Sequence, residues 1–278
     1  MPELPEVELA VRRLRPHVEG RVVRAIDRHH AATRRALAPA RVRTLVGQRI
    51  AQLARRGKFQ LLRVESGATL VAHFRLDGDW DIGRTDMPLP RHARASITLD
   101  DGTRIALVDP RALATLTWHG RDEDPVAHLG PEPFDDALTP AALRGALATR
   151  RAAIKLVLLD QRVLAGVGNI YAAEALWHAR IHPDIAANTL SAPRVAQLLE
   201  GVRFALTRGL DEPGRVFGTA HTAASSHELM VYGRDGEPCA RCGRRIRRVV
   251  HGARGTWYCP GCQRRPRQSS ATSTAPLR

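Results

Sequence analysis

Residues 5–18 place Val7, Val11, Leu14 and Val18 on one stripe of a 3.6-residue period, with Pro5 suited to a first turn, and predict a helix. Beyond residue 21 the period shortens to two. The runs 58–66, 68–74, 95–100, 103–109 and 113–118 are short, β-rich and separated by turn residues such as Asp101-Gly102. They predict an antiparallel β domain carrying one N-terminal helix. Residues 120–137 lose any apolar period and read as a linker of Asp, Glu, Gly and Pro. Helical periodicity returns at 140–149, 152–161, 169–179 and 192–209, the first opened by Thr139 as cap with Pro140 behind it. Residues 211–229 form a polar loop without period, and the final SSATSTAPLR has the composition of a disordered tail. The fold class expected is α+β.

Composition adds a partner to this outline. The 278 residues suit about two domains. No run of 18 uncharged apolar residues is present, and the start, MPELPEVELAVRRLR, lacks an apolar signal core, so a cytoplasmic protein without a membrane partner is expected. Lys plus Arg number 43 against 28 Asp plus Glu, a formal charge of +15 that favours a polyanion, nucleic acid first. From Cys239 to the C-terminus there are ten Arg and no acidic residue, so that segment carries +10 of the +15. Of the 43 cations only Lys58 and Lys155 are lysine. Codon drift toward Arg, wherever either cation serves, would give this imbalance. The two survivors then mark positions that need a compact ammonium able to shed its proton, which guanidinium is not.

Three motifs carry chemistry. Cys239, Cys242, Cys259 and Cys262 form two CxxC knuckles at the spacing of a tetrahedral four-cysteine zinc site, closed to a further ligand and hence structural. Between the knuckles RRIRRVV and RGTWYC alternate like a hairpin, with Arg254 near its tip. Next, Ala165-Gly166-Val167-Gly168-Asn169 precedes a helix; Asn169 is read as its N-cap and the glycines as a cradle through which N–H groups approach a phosphate, with Lys155 one helix upstream. Last, loss of Met1 leaves Pro2, a secondary amine, followed by Glu3. Such an amine attacks a carbonyl-like carbon to give an iminium, and an adjacent carboxylic acid donates a proton.

PELPEVE at the N-terminus, Lys58 on a predicted hairpin, GVGNIYAAEAL and a four-cysteine finger, in that order over residues 2–263, resemble the formamidopyrimidine-DNA glycosylases of bacterial base-excision repair. The resemblance implies an N-terminal antiparallel β-sandwich with its helix (2–118), a linker (119–138), a helix–two-turns–helix domain (139–229) with a lesion loop (211–229), a zinc finger (230–265) and a basic tail (266–278). It implies a bifunctional glycosylase and abasic-site lyase for oxidised purines, 8-oxoguanine and formamidopyrimidines, acting as a monomer on double-stranded DNA with a damaged base and holding one zinc ion. Pro2 would form the Schiff base, Glu3 protonate the sugar, Lys58 serve β-elimination and Arg254 δ-elimination. His92, Arg111, Arg150, Lys155 and Asn169 would contact DNA, with Glu6, His73 and Glu174 in support. The residues filling the gap behind a flipped base, usually Met, Arg and Phe, appear as Leu76, Arg111 and Leu113. Ala112 stands for a usual Arg and Arg75 for a Gly. The alternatives are an endonuclease VIII-type glycosylase for oxidised pyrimidines and a zinc-finger DNA-binding protein without catalysis.

Overall fold

A stripe of apolar residues needs a surface to bury it, and α1 (Leu4–Val18) finds two. Val7, Val11, Leu14 and Val18 are fully buried in the core of the β half. Leu4, one turn earlier, lies in the core of the helical half instead. The computed structural model describes residues 1–211 and 229–265; most of the predicted lesion loop 211–229 and the tail 266–278 lie outside the described residues.

The β half is two four-stranded antiparallel sheets. One runs in the order β1 (Val23–Arg28), β6 (Ala93–Leu99), β7 (Thr103–Val108), β5 (Asp79–Arg84). The other runs β2 (Ile50–Arg56), β3 (Phe59–Val64), β4 (Thr69–His73), β8 (Thr115–His119). Their facing residues, among them Ile26, Leu53, Leu70, Ile97 and Leu107, share one core with α1. The turn that matters for the site joins β2 to β3. Arg56 pairs with Phe59, leaving Gly57 and Lys58 as a two-residue loop, and Gly57 takes the positive φ (+56°) that such a loop requires. The expectation of a single helix here needs correction. Two short helices, α2 (Ala31–Ala36) and α3 (Pro39–Arg43), fill the connection from β1 to β2.

The helical half holds α4 (Pro140–Leu147), α5 (Ile154–Leu158), α6 (Asn169–His178) and α7 (Ala192–Asp211). Thr139 caps α4 by accepting from the Ala142 amide at 3.1 Å. Leu143, Leu158, Tyr171, Leu176, Leu198 and Leu206 form its core. The cysteine region is a hairpin of β9 (Arg247–His251) and β10 (Arg254–Tyr258), whose turn residues Gly252 and Ala253 both have positive φ (+53° and +60°). It packs on α6 through Trp177, Ile246 and Cys259.

The stretch read as a linker is strapped down. Glu132 accepts from the Gly57 amide at 2.6 Å, from Arg55 at 2.8 Å and from Arg56 at 3.1 Å. The loop that presents Lys58 is thus held from the far side of the domain junction.

Candidate active site

Glu3 is only 1% exposed, and its carboxylate sits at the N-terminus of α6, accepting from the amides of Ile170 (2.9 Å) and Tyr171 (3.2 Å). A carboxylate there satisfies two orphan donors and meets the positive end of the helix dipole. The GVGN glycines explain how it gets in. A Cβ on Gly168 would stand 2.3 Å from Glu3 Cδ, and one on Gly166 2.7 Å from the Leu4 side chain. The Leu4 amide donates to the Gly166 carbonyl at 3.0 Å, and Gln161 braces the turn by accepting from Gly166 and donating to Val167. The cradle read as a phosphate site therefore receives the chain's own N-terminus. Asn169 is also corrected: Gly168 is the cap of α6, and Asn169 is its first residue, donating from Nδ2 to the Gly255 carbonyl at 2.9 Å.

Around Glu3 the groups are buried and coupled. Glu6 accepts from the Glu3 amide (2.9 Å) and the Tyr171 hydroxyl (2.6 Å); burial, then the neighbouring Glu3 charge, push its carboxyl above the usual range. Lys58, 7% exposed, has its ammonium pushed down by burial, against the attraction of Glu3 and with the repulsion of Arg254. Lys155 is fully buried, donates to the Asn169 carbonyl at 2.7 Å, and is pushed down to about 7, again mainly by burial. It faces this interior rather than solvent. His73 accepts at Nδ1 from the Arg75 amide (2.9 Å) and is lowered to about 4 by burial, then by Arg75 and Lys58, so it is neutral near pH 7.

Lys58 and His73 open on a cavity of about 590 Å³, lined also by Met1, Leu76, Leu113, Asn169 and Arg254 among others. Pro2 is buried behind Met1. One wall is a rim loop wrapped around the fully buried Asp109, which accepts from the amides of Arg111 (2.9 Å) and Ala114 (2.6 Å) and donates its own amide to the His92 carbonyl at 3.1 Å. His92 and Arg111 are exposed on this rim, Arg111 paired with Asp77 at 3.1 Å, and Leu113 is 46% exposed. Arg150 stands outside the cavity lining, paired with Asp160 at 3.1 Å. Glu174 does not face the cavity as an acid. It accepts from three successive amides, Met230, Val231 and Tyr232, and so ties the start of the cysteine region to α6. Sequence reasoning missed Asp109, Glu132, Gln161 and Tyr171, each an internal partner whose role depends on a residue distant in the chain or on a loop's own backbone.

The four cysteine sulfurs all lie within 4.8 Å of one another, with Cys239 to Cys262 at 3.9 Å and Cys242 to Cys259 at 3.4 Å. A tetrahedral zinc with bonds of about 2.3 Å sets its sulfurs about 3.8 Å apart, so the donor set and spacing fit a structural zinc.

Three family models cover most of the chain. The formamidopyrimidine-DNA glycosylase N-terminal domain matches residues 1–116, the formamidopyrimidine-DNA glycosylase H2TH domain matches 129–219, and the zinc finger found in FPG and IleRS matches 236–265. The chain belongs to the formamidopyrimidine-DNA glycosylase family. Among its relatives, the formamidopyrimidine-DNA glycosylase of Paracoccus denitrificans is 39% identical over 280 residues, covering 95% of this chain and all of the relative. That of Roseiflexus is 40% identical over 277 residues with the same coverage. Of solved structures, the Lactococcus lactis glycosylase bound to DNA with an abasic site aligns at a TM-score of 0.83 and 28% identity, covering 95% of this chain and 100% of the other. MutM in complex with DNA containing carbocyclic 8-oxo-G aligns at 0.84 and 29% with the same coverage. The fold thus brings Lys58, His73, Asn169 and Arg254 of this chain around one cavity, sets Glu3 behind Gly168 of its lining, and leaves Arg150 and Glu174 outside it.

Proposed function

We propose that this chain removes oxidised purines from double-stranded DNA and then cuts the strand. The observation that carries the reading is the N-terminus: Pro2 and Glu3 are buried behind Met1 and Gly168 of the cavity lining, with the Glu3 carboxylate fixed by two helix amides and its charge acting on Lys58. In this reading Met1 is removed and the Pro2 nitrogen attacks C1′ of the damaged nucleotide. The glycosidic bond breaks, its electron pair leaves with the base, and Glu3 supplies the proton that opens the sugar. Lys58, its ammonium destabilised by burial, exchanges a proton near the sugar in β-elimination. Arg254 at the hairpin tip serves δ-elimination. His92, Arg111, Arg150, Lys155 and Asn169 are assigned to DNA by the family pattern. For Lys155, hidden beneath α6, that contact runs through the Asn169 backbone.

The same reading divides the chain into a catalytic sandwich (2–118), a linker (119–138), a helix–two-turns–helix domain (139–229), a zinc finger (230–265) and a tail, and places a monomer in the cytoplasm on the nucleoid. Among the described residues no helix is long and apolar enough to cross a membrane. Borohydride, which reduces the iminium, is expected to fix the protein to DNA carrying an abasic site or 8-oxoguanine. Pro2→Gly weakens that trap, and a chain retaining Met1, whose Pro2 nitrogen is an amide, gives none. Full trapping with Met1 in place overturns the Pro2 assignment. A panel with oxidised pyrimidines separates the endonuclease VIII-type alternative, and the Lactococcus lactis enzyme has itself been solved with DNA containing an oxidised pyrimidine.

A further inference from the structure

Arg254 reaches the cavity from the end of a two-residue turn, and the helical half grips that turn at three points. Asn169 donates to the Gly255 carbonyl at 2.9 Å. Leu156 of α5 lies 3.0 Å from where a Cβ on Gly252 would stand. The third grip is Asp184, in the loop after α6, whose carboxylate accepts from Nε2 of His251. His251 is paired directly with Arg254 across the hairpin, so the two side chains leave the same face of one rung. Holding one fixes the rotation of the rung and therefore the direction of the other. The Nδ1 atom of His251 is buried with no hydrogen-bond partner among the described residues, which leaves Asp184 to orient the ring. Asp184 does not line the cavity; its other neighbours are His182 at 3.9 Å and Arg265 at 3.6 Å.

We propose that Asp184 and His251 form a latch that positions Arg254 and so sets how far strand cutting runs past the first elimination. The proposal rests on the assignment of Arg254 to δ-elimination. In β-elimination the C2′ proton leaves and the C3′–O bond breaks; in δ-elimination the C4′ proton leaves and the C5′–O bond breaks, the bonding pair departing each time on phosphate oxygen. Pro2 and Glu3 lie just ahead of α1 and Lys58 in the β2–β3 loop, all outside the hairpin, so the latch touches the second cut and spares the first.

The test uses the full zinc-loaded chain on a 5′-labelled duplex with one abasic site, where the unsaturated-sugar end left by β-elimination separates from the 3′-phosphate end left by both steps. Asp184→Ala is expected to lower the share of 3′-phosphate ends at least roughly fivefold, a small part of what an ångström of misplacement costs, with total cutting and borohydride trapping within about twofold of the parent. Asp184→Glu, which keeps the acceptor, restores part of that share. If Asp184→Ala loses zinc, the ratio is read in His251→Phe, which fills the space without the donor, and the same fall is expected. An unchanged ratio with zinc retained, or an equal loss of both products, overturns the latch. A parent that leaves only the unsaturated-sugar end overturns the Arg254 assignment, and the latch with it.

Discussion

The wall of the cavity that holds Glu3 and the rim that carries Leu76, Arg111 and Leu113 differ in burial and in what fixes each side chain. Glu3 is held by two helix amides, its own amide is taken by Glu6, and glycines at 166 and 168 leave it a slot with no spare room. On the rim the backbone is fixed through Asp109, while Leu113 projects into solvent and the exposed Arg111 is held by its ion pair with Asp77. Arg75 and Ala112 there adopt positive φ (+58° and +57°), a conformation that strains any residue with a Cβ. By the resemblance read from the sequence, the wall keeps the family pattern, whereas the rim departs from it at Leu76, Leu113, Ala112 and Arg75. Reaction chemistry tolerates no displacement. In the proposed reading, recognition of a base tolerates exchange of side chains on a fixed loop.

The contrast is broken most directly by Gly168→Ala. Its Cβ drives the Glu3 carboxylate off the helix amides, and base excision is expected to fall roughly a hundredfold with DNA affinity kept. Parental excision rates would show that the slot does not set the position of the acid. Zinc chelation reaches the cavity from the other side. By unfolding the hairpin that carries Arg254 and its neighbouring arginines it is expected to cost roughly thirtyfold in DNA affinity and to flatten the salt dependence, while the sandwich stays folded. Metal analysis finding no zinc in active protein contradicts it.

Lys58→Arg is expected to keep DNA affinity and slow turnover on an oxidised base at least about tenfold, because guanidinium holds its proton at any working pH. Lys155 tests the cost of the buried wall itself. Its folded value of about 7 lies below the unfolded value near ~10.4. Between the two the unfolded chain keeps a proton the folded chain has lost, so stability rises with pH across that window and the full cost of burying the charge is felt below it. Urea unfolding at several pH values should show a slope on the order of 1 kcal/mol per pH unit at most, flattened in Lys155→Met. The smallest effect belongs to the rim. Leu113→Phe adds stacking surface worth about 1 kcal/mol and should shift the rate ratio of 8-oxoguanine to ring-opened purine a few-fold toward 8-oxoguanine. A parent already strongly selective for 8-oxoguanine opposite cytosine contradicts the loose rim.

How much of this was legible beforehand depended on whether a signal lies within one segment. The α1 stripe, the four later helices, the finger hairpin and the cysteine ligands are local patterns, and the structure places them where the patterns fall. The helices α2 and α3 were hidden because Arg-rich residues 31–43 bury little and show no sustained stripe. The glycines of GVGN announced a close approach without saying of what. Glu3 is more than 160 positions away, and a carboxylate at a helix start serves the same donors as a phosphate. Glu174 shows the same limit: its charge was visible, but the three amides it binds belong to another segment.

Because Leu4 sits in the helical core and Val7 in the sandwich core, the first turn of α1 cannot reach its final place until the chain through α7 exists. A ribosome adding about 5–20 residues per second leaves the N-terminus waiting roughly ten to forty seconds. Met1 itself stays 41% exposed at the cavity after docking, while Pro2 behind it is buried. In the proposed reading of Pro2 as the nucleophile, trimming meets least resistance before that docking, and a chain that still carries Met1 is finished in shape yet chemically blank.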